Sequence, residues 1–254
     1  MRTSFWVYLL IFIVSQLSAL VVMPLVRLLD AETSLFAYPF VVTLLVANVL
    51  AIVLFFCFRP RSITWGSTFG SLHGDIGRRT LLLAALAIPA IVLVNLLQEI
   101  CFPNLPDWVG DEIFRLVMHH PLGLLTVCLL GPLSEELLFR GGVQTDLQLR
   151  HADQGRWVPI AVSAALFALV HLNPAQMPAA FVLGLLLGYA YWQTGSLVAP
   201  VAIHVINNTS ACLLALLAPD SDTLLGLLGS PLDALPLAVL CLLWVGATLH
   251  WLER

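Results

Sequence analysis

The chain reads as a succession of apolar runs, each about as long as a bilayer is thick. Eight of them occupy about residues 5–26, 38–58, 80–98, 121–140, 157–172, 176–193, 197–218 and 235–252. A membrane's hydrocarbon core is roughly 30 Å thick and takes about 20 apolar helical residues to cross. Lipid offers no partner to an exposed backbone N–H or C=O, so each run must satisfy its own hydrogen bonds as a helix. The fold class that follows is all-α, a polytopic transmembrane helical bundle of about eight spans. Composition agrees: 60% of residues are hydrophobic and 10% charged, against about 45–50% and about 25% in soluble domains. The first run exceeds the apolar region of a secretory signal and is read as an uncleaved span, although Ser18-Ala19 resembles a cleavage site. No repeat, low-complexity segment or long linker divides the sequence. Residues 1–254 are therefore expected to form one multi-pass domain in the cell membrane, with the bilayer as its first partner.

Arginine placement sets the expected orientation. All 11 basic residues are arginine. With a cytoplasmic N-terminus, Arg2, Arg59, Arg61, Arg78, Arg79, Arg140, Arg150, Arg156 and Arg254 fall on the inner side, and Arg27 and Arg115 on the outer. The positive-inside rule then puts both termini in the cytoplasm. The acidic stretch Glu99–His120, with Trp108, Ile113 and Phe114 among its charges, reads as an outer loop with a short interfacial helix. A net charge of -4 leaves no basic footprint for phosphate backbones, so nucleic acid is excluded as a partner. The five cysteines form no CxxC pair and read as small buried hydrophobes.

Ionisable residues inside spans are costly, and here they cluster. Glu135 and Glu136 lie in span four, His171 ends span five, and His204, Asn207 and Asn208 lie in span seven. Gly131-Pro132 precedes the glutamates and is expected to kink or restart the helix, placing them near a local N-terminus. Glu136 and Arg140 are four apart and share a face, as do Phe167 with His171 and His204 with Asn208. Glu135 points about 100° away from Glu136. The point midway between Glu135 and His171 falls in His151-Ala152-Asp153-Gln154-Gly155-Arg156, a polar turn, so the two are expected at similar depth. His204 sits roughly 13 Å above the start of its span. Asn207 reads as interhelical glue, Gly184 and Gly188 as a packing stripe, and His119-His120 as interfacial.

A carboxylate, two imidazoles and an amide in a lipid-walled pocket suit water activation. Glutamate with histidine can act as general base toward a carbonyl, and a second histidine with an asparagine amide can hold the oxyanion. The same groups, Glu135, His171 and His204, are alternatively a zinc set with an open position for water. No HExxH helix or GxSxG elbow is present. Two other classes share the ingredients: a proton-coupled transporter and a non-catalytic scaffold or bacteriocin-immunity protein.

Glu135-Glu136-x-x-x-Arg140, Phe167-x-x-x-His171 and His204-x-x-x-Asn208, in that order, resemble the three motifs of the CPBP family, which comprises the CAAX-type intramembrane endopeptidases with bacteriocin-processing and Abi-related proteins. The resemblance covers about residues 120–215, the expected catalytic core, and the chain's brevity is similar to that of prokaryotic members. It implies an endopeptidase cutting near the C-terminus or membrane segment of a protein or peptide substrate. It implies Glu135 as the catalytic glutamate, His171 as its partner on the water, and His204 and Asn208 on the oxyanion side. Glu136 and Arg140 become supporting residues, with Phe167 packing beside them. The family's cofactor is argued both ways, none or zinc. Residues 1–110 match no motif and are where substrate choice is expected to lie.

Overall fold

The computed structural model describes residues 4–29, 37–59, 75–107, 117–218, 221 and 223–252. Among these residues there is helix and no strand. Helix α1 (Phe5–Leu17) is followed after a turn at Ser18 by α2 (Ala19–Leu29), then α3 (Ala37–Phe58) and α4 (Asp75–Cys101). The long α5 (Pro121–Arg150) leads through a 3-10 turn (Ala152–Gln154) into α6 (Trp157–Leu169) and α7 (Met177–Thr194). Next come α8 (Val198–Leu217), the short α9 (Leu224–Leu228) and α10 (Pro231–Leu252). Every one of the eight apolar runs is helical. Among the described residues, six stretches are long and apolar enough to cross a membrane: Phe5–Leu25, Pro39–Phe58, Gly77–Cys101, Pro121–Arg150, Val198–Leu217 and Pro231–Thr248. Helix α6, at 13 residues, is roughly 20 Å long and falls short of the core thickness. Helix α7, at 18 residues, is not among the six either.

Helix α5 is the central element, and it departs from simple α geometry. Thr126–Leu130 and Leu137–Gln144 are π-helical, with Gly131–Glu136 an α segment between them. The expected restart of the helix at Gly131-Pro132 does not occur. Leu130, Gly131 and the residues flanking each transition keep right-handed helical dihedrals. Proline's missing N–H is absorbed at a wide π turn instead of ending the helix. The glutamates therefore sit mid-helix, with no free N-terminal dipole beside them.

Helices α1 and α3 pack on the second π stretch. Tyr8, Ile11, Ala51 and Phe55 form one buried cluster with Leu137, Phe139 and Val143. Side chains at Gly141 and Gly142 would collide with Phe55 and with the Tyr8 ring respectively. The backbone N–H of Phe5, at the first turn of α1, donates to Asp146 Oδ2 at 2.9 Å, and Asp146 also receives Arg150 Nε at 2.7 Å. Helices α6 and α7 form a hairpin against the other side of α5. The polar turn joining α5 to α6 falls where the sequence places it, at 151–156, with Gly155 at φ +74°. Arg140, counted above among the inner-side arginines, is buried in the bundle, so the arginine distribution rests on eight inner residues. Of these, Arg2, Arg61 and Arg254 lie outside the described residues, as do Arg115 and the interfacial helix expected within 108–116.

Candidate active site

Buried residues of α5, four apart, build the floor of the site. Glu136, Arg140 and Gln144 are all fully buried. Arg140 Nη1 donates to Glu136 Oε1 at 3.1 Å, as the spacing predicts. Arg140 Nη2 donates to the Gly184 carbonyl at 3.0 Å, and Gln144 Nε2 to the Gly188 carbonyl at 2.9 Å. The glycine stripe of α7 is thus more than packing. With no side chains at 184 and 188, α7 comes close enough for its carbonyls to accept from α5. A Cβ on Gly184 would lie 3.0 Å from Ala164 Cα, and one on Gly188 would lie 2.9 Å from Gln144 Oε1. Gln144 escaped the sequence reading. Its signal was there: Arg140 and Gln144 share a four-residue step with Gly184 and Gly188.

His204 of α8 joins this network. Its Nδ1 lies 2.9 Å from Glu136 Oε1, and its Nε2 lies 3.7 Å from Glu135 Oε2. A carboxylate oxygen only accepts, so Nδ1 carries the proton and donates. The 3.7 Å approach is too long for a hydrogen bond. Glu136, assigned above to Arg140 alone, therefore anchors the histidine as well. Its neighbour Glu135 keeps a side chain 25% exposed, against 0% for Glu136.

His171 follows the end of α6 and stands across an aromatic ring from this pair. Its Nδ1 donates to the Phe167 carbonyl at 2.7 Å, one turn back. Both histidines thus hold Nδ1–H in a fixed bond and present Nε2 with its lone pair. Phe167 separates them: its ring meets His171 edge-on at 4.9 Å and His204 at 5.7 Å, with the Arg140 guanidinium 4.7 Å over its face. Among the described residues, His171 makes no ion pair with Glu135. The turn carrying His171 is held from outside. Leu172 adopts φ +50°, and Asn173, fully buried, donates to Asp107 Oδ1 at 2.8 Å. Ala175 N–H donates to the Pro106 carbonyl at 3.3 Å.

Asn208 faces the first π stretch. Its Nδ2 donates to the Val127 carbonyl at 2.9 Å, and its Oδ1 accepts from Asn207 Nδ2 at 2.9 Å. Asn207 is the glue expected of it, applied to Asn208. His120 caps α5, with Nδ1 accepting from Leu122 N–H at 3.2 Å. Among the described residues, no three His, Cys, Asp or Glu side chains converge as metal ligands. Glu135, His171 and His204 as placed are not assembled into a zinc set.

The arrangement couples a half-open carboxylate to an imidazole fixed by a buried ion pair, with a second imidazole and an amide nearby. Residues 118–210 match the family model described as "Type II CAAX prenyl endopeptidase Rce1-like". A "Membrane-embedded CAAX protease MroQ" of Staphylococcus aureus (strain USA300) is 28% identical over 116 residues, covering 44% of this chain and 46% of that protein. An "Uncharacterized 24.3 kDa protein" of Escherichia coli is 29% identical over 131 residues, covering 50% of this chain and 60% of that one. The chain thus aligns with about half the length of these curated relatives. No solved structure matches it. All seven residues of the three motifs fall between 118 and 210, so the polar cluster lies wholly inside the region that is similar to the Rce1-like CAAX prenyl endopeptidase family.

Proposed function

We propose that this protein is an intramembrane endopeptidase that hydrolyses a peptide bond near the C-terminus or membrane segment of its substrate. The observation that carries this is the unequal pair on α5: Glu136 is sealed between Arg140 and His204, while Glu135 stays half-open beside the same imidazole. Glu135 takes a proton from a water molecule also held by Nε2 of His171, and the resulting hydroxide attacks the scissile carbonyl. The Asn208 amide has a second N–H beyond the one given to Val127, and this donates to the developing oxyanion, while His204, whose one N–H is held by Glu136, lines the site beside Glu135. Proton return to the leaving amine falls to Glu135. No step is routed through a metal.

The substrate is a protein or peptide whose cleavage site lies at the bilayer, and 120–215 is the catalytic core of a single membrane domain. Both termini lie on the cytoplasmic side of the cell membrane, and this does not depend on whether the spans number six or eight. Helices α6 and α7 leave and return to the same side, so counting them as two spans or as a re-entrant hairpin leaves the parity unchanged.

The test is hydrolysis of a lipid-anchored or membrane-segment peptide by the purified protein in proteoliposomes without nucleotide. Cleavage by wild type and none by Glu135→Gln supports the reading. Solute uptake without cleavage of any peptide overturns it in favour of a transporter. Chelation followed by zinc add-back decides the cofactor: an unaltered rate supports the bare glutamate–histidine mechanism, and loss with recovery overturns it.

A further inference from the structure

Away from the catalytic cluster, two thiols from different spans meet inside the bundle. Cys128 of α5 and Cys212 of α8 have their Sγ atoms 3.4 Å apart, although 84 residues separate them in sequence. Cys128 is half-buried and Cys212 buried, packed with Val41, Val117 and Met118. Cys57 and Cys101 are exposed and Cys241 is buried, and none of these is in contact with another sulfur among the described residues. The place matters as much as the distance. Cys128 follows Val127, whose carbonyl accepts from Asn208, and Cys212 lies one turn beyond Asn208 on the same helix. Cys128 also belongs to the first π stretch of α5.

We propose that Cys128 and Cys212 are an oxidisable pair, converted by a lipid hydroperoxide into a disulfide that joins α5 to α8. Such a peroxide partitions into the bilayer and reaches the half-buried Cys128 from the side. The Cys128 sulfur attacks the terminal peroxide oxygen and the O–O bond breaks. The thiol proton passes to the leaving alkoxide, giving a sulfenic acid and a lipid alcohol. The Cys212 sulfur then attacks the sulfenic sulfur, forming the S–S bond. The Cys212 proton and the departing hydroxyl leave as water. Two thiols and one peroxide thus give one disulfide, one alcohol and one water, and a thiol reductant reverses the bond. Closure shortens the sulfur separation from 3.4 Å to about 2.05 Å, drawing the π turn onto α8 beside Asn208. The effect on turnover rests on the peptidase reading; the cross-link does not.

Wild-type proteoliposomes treated with cumene hydroperoxide should yield, on non-reducing peptide mapping, a linked peptide containing residues 128 and 212. That peptide should disappear with dithiothreitol and be absent from Cys128→Ala and Cys212→Ala. Both cysteines remaining open to alkylation would overturn the proposal, as would Cys128 running on to sulfinic acid with Cys212 unmodified. Linked protein should turn over peptide at least about tenfold more slowly, since displacements near 1 Å at a positioned group cost rates of this order or more. Cys128→Ala should ignore the peroxide. If linked protein cleaves at the reduced rate, the coupling to Asn208 is wrong. If reduced protein cleaves nothing, the peptidase reading fails while the mapped cross-link stands.

Discussion

Glu135 and Glu136 are chemically identical neighbours that the fold sorts into different tasks. Glu136 shares one oxygen between Arg140 at 3.1 Å and His204 at 2.9 Å, all three side chains sealed from solvent. Glu136→Gln should destabilise by on the order of 3 kcal/mol, because it leaves a buried guanidinium uncompensated. It should also lower turnover through a loosened His204, both visible as a drop in melting temperature and in rate. Glu135→Gln should abolish turnover at unchanged or higher melting temperature, since it removes a charge from the membrane interior without breaking a pair. Reversal of these two outcomes would mean that the glutamates' roles are exchanged. Asn208→Ala should lose about 10²–10³ in kcat with KM little changed, the signature of a donor acting in the transition state. Leu172, in the left-handed region and 72% exposed, carries backbone strain worth roughly 1–2 kcal/mol. Leu172→Gly should relieve it at a smaller cost in unfolded-state entropy, about 0.4–1 kcal/mol, and raise the melting temperature.

At the scale of elements, α5 and α7 work as a matched pair of ladders. Arg140 and Gln144 donate across to the carbonyls of Gly184 and Gly188, so helix separation there is set by the absence of two side chains. Gly184→Ala should push a methyl into the backbone of Ala164 and cost about 1–3 kcal/mol by overpacking. Gly188→Ala meets the movable end of Gln144 and should cost less; thermal melts of the two variants test the ordering. The polar spacing of Glu136 and Arg140 was legible because an i,i+4 relation survives any near-helical backbone. The helical runs and the 151–156 turn were legible because apolar length and turn chemistry are local properties. The π stretches were not legible. A π turn shifts each following residue by a fraction of a turn without any residue type that demands it, and Gly131-Pro132 carries the stronger local signal for a break. Depth arithmetic likewise brought Glu135 toward His171, whereas tertiary packing set His204 beside it and Phe167 between the histidines.

For the whole molecule, topology is testable apart from span count, because α6 and α7 together leave the parity of crossings unchanged. Reporter fusions after residues 30, 70, 105, 150 and 225 should alternate outside and inside, beginning outside; a cytoplasmic signal from 105 or 225 would reverse the placement of both termini. Labelling of a cysteine at position 175 by an impermeant reagent from outside distinguishes full crossings of α6 and α7 from a re-entrant hairpin. Substrate choice was assigned above to residues 1–110, yet α1 and α3 are woven into the core through Tyr8, Ala51 and Phe55, so changes there should alter stability together with turnover. The bond from Phe5 to Asp146 spans 141 residues of chain. Synthesis at about 5–20 residues per second means that α1 leaves the ribosome roughly 7–28 s before its partner exists. During that interval α3 can cover Tyr8 through Phe55 and the Phe58 carbonyl, but the first N–H of α1 has no Asp146 to accept it. Completion of α5 therefore supplies the acceptor that anchors the first turn of α1.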